Sequence, residues 1–162
     1  MTPIELLSPA RTADIGIEAV RHGADAVYIG GPGFGARAAA GNSVADIERL
    51  CRFAHPFGAK VYVTLSTILF DDELKRAEAL VKEIYEAGAD ALIVQDFAYL
   101  TMSLPPIALH ASTQTDITTP EKAALLEAAG FTRLVVAREL SLKEIGEISK
   151  TVSVPLEAFV HG

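Results

Sequence analysis

The sequence predicts an α/β protein with the fold of an incomplete TIM-like (β/α) barrel of about seven strands. Apolar runs of about four to six residues, rich in Val, Ile and Leu, alternate with longer stretches of helical spacing. Two segments, EAVRHGADAVYIG at 18–30 and EIYEAGADALIVQ at 83–95, resemble each other, and 126–138 is a fainter copy. Such repeats are typical of a barrel. A doubly wound open sheet gives the same alternation, but no dinucleotide-type glycine fingerprint follows the first strand, which favours the barrel.

The individual elements follow from the apolar spacing and from the turn and cap residues between the apolar runs. We predict strands at residues 4–7, 26–29, 61–65, 91–94, 107–111, 134–137 and 156–160. Helices are expected near residues 12–22, 44–55, 71–87, 97–103, 120–129 and 141–149. Ser43 and Ser141 are predicted N-caps, and the acidic run 71–73 favours a helix start. Four glycines are predicted to end helices: Gly23, Gly58, Gly88 and Gly130.

Composition predicts one soluble, cytoplasmic domain over residues 1–162. The chain has 162 residues, half of them hydrophobic, which is enough for one core and too few for two comfortable domains. Fourteen basic and twenty-one acidic residues give a net charge of −7, which disfavours autonomous nucleic-acid binding. The one cysteine, Cys51, excludes an internal disulfide and an all-cysteine metal site built by this chain alone. No apolar run approaches the roughly 20 residues that cross a bilayer, so no membrane partner is expected.

Polar residues follow each predicted strand, where both candidate architectures place an active site. They are Ser8 after the first strand, the loop GGPGFGAR at 30–37, Ser66 and Thr67, Gln95 and Asp96, STQTD at 112–116, Arg138 and Glu139, and His161. The glycine-rich loop lacks Walker and G-x-G-x-x-G spacing, so we interpret it as a flexible loop rather than a phosphate cradle. We expect the polar groups to form a ring at the barrel mouth.

The run HASTQTD at 110–116 is the most informative of these segments. His110, Ser112 and Gln114 alternate and would point to one face of the strand. Ser112 with His110 or His161 would supply a hydrolase nucleophile and base, and Asp96 or Asp116 an orienting acid, but no G-x-S-x-G elbow surrounds the serine. A metal set of Glu157, His161 and His110 is a weaker alternative, and no H-E-x-x-H motif is present.

Seven blocks in order resemble the N-terminal segment of the collagenase-like peptidases, the thirty-second of the peptidase families of unknown catalytic type. The blocks are ELLSPA (5–10), GADAVYIGG (23–31), KVYVTLST (60–67), DALIVQD (90–96), HASTQ (110–114), VVARELSLKEI (135–145) and LEAFVHG (156–162). The resemblance spans the whole chain and implies a TIM-like barrel segment within a longer architecture.

The resemblance also implies a function. Family members are labelled proteases, whereas better-understood relatives take part in oxygen-independent hydroxylation of tRNA uridine, ribosomal RNA cytidine or a ubiquinone precursor, with cysteine-bound iron-sulfur clusters. The family's cluster cysteines begin a few residues after its FVHG block. We therefore expect this chain to serve hydroxylation of RNA or a quinone precursor, to be inactive alone and to hold no cofactor itself, the cluster requiring downstream cysteines. The alternatives are a genuine peptidase or other hydrolase and a non-catalytic scaffold subunit.

By position, nine residues are candidates for the barrel mouth. The candidate catalytic residues are Ser112, Gln114, Arg138, Glu139 and His161, and the candidate substrate-binding residues are Ser8, Arg37, Thr67 and Asp96. The full-length protein would act on RNA or a small molecule. Because an incomplete barrel leaves its first and last strands with open edges, we expect a homo-oligomer that covers them.

Overall fold

The computed structural model describes residues 4–34 and 41–161, which form a curled half-barrel of seven parallel strands with helices on its outer face. Each strand pairs with the next in chain order, from β1 to β7. The strands are β1 Leu7–Ala10, β2 Ala26–Gly30, β3 Lys60–Leu65, β4 Ala91–Val94, β5 Ala108–Ala111, β6 Arg133–Val135 and β7 Leu156–Glu157. This arrangement confirms the predicted α/β fold and the incomplete TIM-like barrel.

Residues 4–34 and 41–161 contain five α-helices between the strands, and the ends of these helices confirm the predicted caps. They are α1 Ala13–Arg21, α2 Val44–Ala54, α3 Leu74–Glu86, α4 Pro120–Ala129 and α5 Leu142–Thr151. Ser43 and Ser141 cap α2 and α5 in reciprocal capping boxes with Asp46 and Glu144. The predicted C-terminal glycines all have positive φ: Gly23, Gly58, Gly88 and Gly130.

The sheet has two buried faces. On the outer face, aliphatic side chains such as Val27, Val61 and Leu92 pack with the helices in the main core. On the inner face, Tyr62 and Ile93 form a smaller cluster with small residues of β2 and β4. Burial on both faces explains why the sequence shows continuous apolar runs rather than strict alternation.

The first and last strands differ from the prediction. We predicted a strand at 4–7, but Ile4 is 94% exposed and β1 runs over Leu7–Ala10. Pro9 is accommodated because β1 is an edge strand in the described sheet, and a proline without an N–H costs little there. The strand predicted at 156–160 ends at Glu157, and the apolar residues after it, Phe159 and Val160, are exposed. The first strand is therefore displaced by three residues from its predicted position, and the last is three residues shorter than predicted.

Two predicted helices are also shorter than expected. The helix predicted from residue 71 begins at Leu74, because the acidic run forms a turn in which the Phe70 N–H donates to the Glu73 carboxylate at 3.0 Å. The segment predicted as a helix at 97–103 is a 3-10 helix over Phe97–Leu100. It ends where the Thr101 hydroxyl donates to the Ala98 carbonyl at 2.8 Å.

In the described part of the chain, no helix combines the length and apolarity needed to span a membrane. Association between copies through the open edges of β1 and β7 stays a prediction.

Candidate functional site

A cavity of about 780 Å³ opens at the carboxyl ends of the strands. This is the end of the barrel at which parallel α/β folds place their ligands. Its lining comes from every strand or the segment just after it: Pro9, Ala10, Arg11, Tyr28, Gly30, Gly31, Gly41, Thr64, Ser66, Ile93, Ser112, Thr113, Gln114, Val135, Arg138, Glu157 and Phe159.

Hydroxyl groups and one carboxyl form the floor of this cavity. Thr64 and Ser66 alternate on the inner face at the end of β3, with the apolar Ile93 beside them on β4. Ser112 follows β5, and its Oγ accepts a hydrogen bond from the Gln114 N–H at 3.2 Å. Glu157 on β7 is paired in register with Val135 on β6. The floor thus presents neutral hydrogen-bonding groups next to a single acid.

Two arginines stand at the rim. The Arg138 guanidinium lies over the Phe159 ring, 4.4 Å from its centroid, which is a cation–π contact. Arg11 follows β1, and its carbonyl accepts from Asn42 Nδ2 at 3.1 Å. Neither guanidinium forms an ion pair with a residue in the described ranges. The cavity therefore carries local positive charge in a chain whose net charge is −7.

The chain passes close to the cavity wall at Gly31. A Cβ at this position would lie 2.8 Å from Leu65 Cδ2 and 3.0 Å from Val63 Cγ1. A side chain at this position would require the side chains of Leu65 and Val63 to shift. Asn42 holds the same region, because its Nδ2 also donates to the Gly30 carbonyl at 3.1 Å.

An ion-pair network lies beneath the floor and closes the interior of the half-barrel. Arg133 on β6 hydrogen-bonds Glu5, which precedes β1, and Tyr62 Oη donates to Glu5 Oε1 at 2.9 Å. The Arg133 guanidinium also lies 5.2 Å from the Tyr62 ring centroid. Burial alone would raise the pKa of Glu5, but the hydrogen bonds from Arg133 and Tyr62 outweigh it and hold the pKa below its usual value.

Two further groups in the interior lack hydrogen bonds in the described structure. The Nδ1 atom of His110 is buried without a partner, and the ring packs edge-on against Tyr62. Burial, together with the charge of Arg133, lowers the pKa of His110 to about 3, so the imidazole is neutral. Glu157 Oε2 lies 3.7 Å from Arg133, too far for a hydrogen bond. Burial raises the pKa of Glu157, and Arg133 only partly offsets this.

The cavity brings together three of the predicted site residues, Ser112, Gln114 and Arg138. Five others lie outside its lining: Ser8, Thr67, Asp96, Glu139 and His161. Ser8 lies within β1, and the pleat turns it away from the face of Leu7 and Pro9. Asp96 is tied to the backbone, accepting from Leu69 N at 2.7 Å and Ala98 N at 2.8 Å. Arg37 lies outside the described residues.

The predicted alternation of His110, Ser112 and Gln114 along one strand is wrong. Strand β5 ends at Ala111, Ser112 caps a 3-10 helix over Thr113–Thr115, and Gln114 lies in that helix. Ser112 and Gln114 still reach the cavity, whereas His110 lies below it. Among the described residues, Ser112 Oγ is hydrogen-bonded to the Gln114 N–H and to neither His110 nor His161, so the described contacts contain no serine–histidine hydrogen bond of the kind a hydrolase uses.

Among the lining residues that sequence reasoning missed as parts of the mouth, four carry polar or aromatic side chains near the proposed rim and wall: Arg11, Tyr28, Glu157 and Phe159. Glu157 was considered only as a metal ligand with His161 and His110. Within residues 4–34 and 41–161, no group of three or more His, Cys, Asp or Glu could hold a metal ion. A signal was available for two of the four, because Tyr28 and Glu157 are polar residues inside apolar strand segments.

The described residues do not fit an iron-sulfur cluster. Such clusters are held by several cysteine thiolates, and the chain has one cysteine. Cys51 lies on α2 in the outer core and is 2% exposed. Burial, with the nearby charge of Asp90, raises the pKa of its thiol to about 12. The thiol is therefore protonated and remote from the cavity, so no step is assigned to a cluster on these residues.

The fold and cavity define a half-barrel of the TIM type with its site at the carboxyl ends of the strands. Residues 12–162 match the model of peptidase family U32, and the chain belongs to this family. The resemblance stated from the sequence blocks is thereby confirmed.

Several curated relatives of the chain are RNA-hydroxylation proteins. It is 58% identical over 159 residues to the 23S rRNA 5-hydroxycytidine C2501 synthase of Escherichia coli, covering 98% of the chain and 24% of the synthase. It is 33% identical over 162 residues to tRNA hydroxylation protein P1 of Bacillus subtilis, covering 98% of the chain and 38% of that protein. The chain thus spans between about a quarter and two fifths of these relatives.

Solved structures show the same fold. A U32 peptidase superposes with a TM-score of 0.77 at 17% identity, covering 98% of this chain and 69% of the other. Thiamine phosphate pyrophosphorylase from Pyrococcus furiosus superposes with a TM-score of 0.62 at 16% identity, covering 95% and 73%. At these identities the likeness concerns the barrel architecture alone.

Proposed function

We propose that this chain is the barrel segment of an RNA hydroxylase that forms 5-hydroxycytidine in ribosomal RNA. The observation that carries the proposal is the 58% identity to the 23S rRNA 5-hydroxycytidine synthase, which extends over 98% of the chain. The tRNA hydroxylation proteins are less similar, at 33% identity for the Bacillus subtilis P1 protein. Ribosomal RNA cytidine is therefore favoured over a tRNA nucleoside.

The cavity supports an RNA substrate by its chemistry. Arg11 and Arg138 stand at the rim without ion-pair partners in the described residues, where guanidinium groups suit phosphate oxygens. Phe159 at the same rim is an aromatic surface for a base. Because the net charge of −7 works against bulk RNA binding, the local positive charge at the cavity would direct the substrate there.

The iron-sulfur cluster belongs to this proposal as a component supplied by other residues. Since the described residues contain one buried thiol, we place the cluster ligands outside the 162 residues, where the family resemblance puts them. The role of this chain would be to bind and orient the nucleotide.

A segment exchange tests the function. The matching segment of the Escherichia coli synthase is replaced by this chain, and the chimera is expressed in a strain that lacks the synthase. Mass spectrometry of digested ribosomal RNA then measures 5-hydroxycytidine. We expect the chimera to restore it. A chimera carrying Arg52→Ala, which changes an exposed arginine paired with Glu48 on α2, is the matched control and should restore it equally. A soluble chimera that restores none would contradict the proposal.

A further inference from the structure

The cavity has the size and lining of a site for one small polar molecule. Its volume of about 780 Å³ falls within the roughly 300–1,000 Å³ typical of ligand pockets. Tyr28, Ile93 and Val135 supply apolar walls between the hydroxyl floor and the charged rim. A ligand that fills it has a flat apolar face, a hydrogen-bonding edge and an anionic group.

We propose that the cavity binds one unstacked cytidine nucleotide, with the base face against Phe159, the cytosine edge toward Glu157 and the phosphate toward Arg11. The inference rests on the proposed RNA-hydroxylation function and specifies the nucleotide site within this chain. Enzymes that modify a base inside folded RNA or DNA have to take it out of its stack, and they then read its free edge.

Phe159 and Arg138 together provide the stacking surface. The guanidinium lies over one side of the Phe159 ring at 4.4 Å. Phe159 is 39% exposed and lines the cavity, so part of the ring remains accessible. Unstacked bases pack on such aromatic rings and on arginine planes.

Glu157 gives the site its preference for cytosine. It is the one acid among the described lining residues; its Oε2 is buried and lies 3.7 Å from Arg133, so Oε1 is the oxygen left for a ligand in the cavity. A carboxylate accepts a hydrogen bond from the exocyclic amine of cytosine. Uracil carries a carbonyl oxygen at that position, so two hydrogen-bond acceptors would face each other and uracil would bind less tightly. The hydroxyl groups of Thr64, Ser66 and Ser112 would hydrogen-bond the other polar atoms of the base.

The charges that face Glu157 come from several elements. Arg133 on β6 lies 3.7 Å below it and Glu5 hydrogen-bonds the same arginine, while Arg138 lines the cavity above. Because Arg133 hydrogen-bonds Glu5, it offsets the charge of Glu157 only in part. A ligand donor at Oε1 would give a hydrogen bond to a carboxyl whose buried Oε2 has none in the described structure.

Binding of mononucleotides to the chain tests this site. The ¹⁵N-labelled protein is titrated with cytidine 5′-monophosphate and uridine 5′-monophosphate at low ionic strength. We expect amide shifts at Ser112, Gln114 and Arg138 and tighter binding of the cytidine nucleotide. Phe159→Ala should weaken cytidine monophosphate binding about tenfold, in line with the loss of one base-stacking contact. Phe57→Ala is the control, because Phe57 is exposed at the opposite end of the barrel, before β3.

Glu157→Gln tests base selectivity, which would not change if Glu157 had only a structural role. A glutamine amide offers both a donor and an acceptor, so the ratio of cytidine to uridine affinity should fall toward one while uridine binding is retained. Three results would contradict the site: amide shifts only at residues away from the cavity, equal affinity of the wild-type chain for both nucleotides, or equal cytidine monophosphate affinity of Phe159→Ala and Phe57→Ala. If the chimera makes 5-hydroxycytidine but the isolated chain fails these binding tests, the proposed nucleotide site is wrong and the proposed function stands. If the chain binds cytidine selectively but the chimera is inactive, the proposed function is wrong and the nucleotide site stands.

Discussion

Arg133 joins the two ends of the half-barrel beneath the cavity floor. It hydrogen-bonds Glu5, contacts Glu157 and stacks on Tyr62, and its side chain is 14% exposed. Glu5 and Arg133 are 128 positions apart, so no sequence spacing indicates their contact. Such a contact forms only when the sheet curls and brings distant parts of the chain together, which is why it could not be predicted from the sequence.

Replacing Arg133 should destabilise the protein because it leaves two acids without their partner. We expect Arg133→Met to lower the free energy of unfolding by about 3 kcal/mol, as for one partner removed from a largely buried pair. Urea unfolding measures this. The control is Arg52→Met, which breaks an exposed pair with Glu48 and should cost less than about 1 kcal/mol. Equal losses in the two variants would contradict the structural role of Arg133.

His110 makes stability depend on pH. In the unfolded chain its pKa is near 6.5, whereas in the folded state it is about 3, so protons favour the unfolded state between these values. Stability should fall as the pH is lowered through this window, by up to about 1.4 kcal/mol per pH unit from this residue. His110→Phe removes the titration and keeps a ring against Tyr62. Its unfolding free energy should therefore change less with pH, and parallel curves for both proteins would exclude this effect.

Helix caps and interior strands were predictable because their signals are local. Ser43 and Ser141 were identified from sequence, and β4 was predicted with the bounds that it has. The bounds of the edge strands were not predictable, because an apolar run does not show how much of it pairs with a neighbouring strand. The same limit applied at the site: Ser112 and Gln114 were predicted correctly at the mouth, but through a strand that ends before them.

The capping box of α5 has a measurable consequence. Ser141 Oγ accepts from the Glu144 N–H at 3.3 Å and donates to its carboxylate at 2.6 Å. Ser141→Ala should cost about 1 kcal/mol of stability. Ser149→Ala, an exposed change within the same helix, should be neutral or slightly stabilising because alanine has the higher helix propensity. Thermal unfolding of both variants compares them, and a larger loss for Ser149→Ala would contradict the cap.

At the scale of the whole chain, the cavity of about 780 Å³ opens at one end of the half-barrel, and the one thiol, Cys51, is buried in the core on the outer side. We therefore expect this chain, purified anaerobically, to contain substoichiometric iron. A longer form that carries the downstream cysteines implied by the family resemblance should contain iron and sulfide and should unfold at a higher temperature. Iron and sulfide analysis of both preparations checks this. Stoichiometric iron in the short chain would contradict the assignment of the ligands to other residues.

In the proposed function, this cavity presents ribosomal RNA cytidine for hydroxylation. The most direct measurement is the fraction of 5-hydroxycytidine in ribosomal RNA from cells that express the chimera with Arg138→Ala and Phe159→Ala together. A chimera with Arg52→Ala and Phe57→Ala, two changes away from the cavity, is the matched control. We predict that the cavity variant loses most of the modification at equal protein level while the control keeps it. Full modification in the cavity variant would contradict the account.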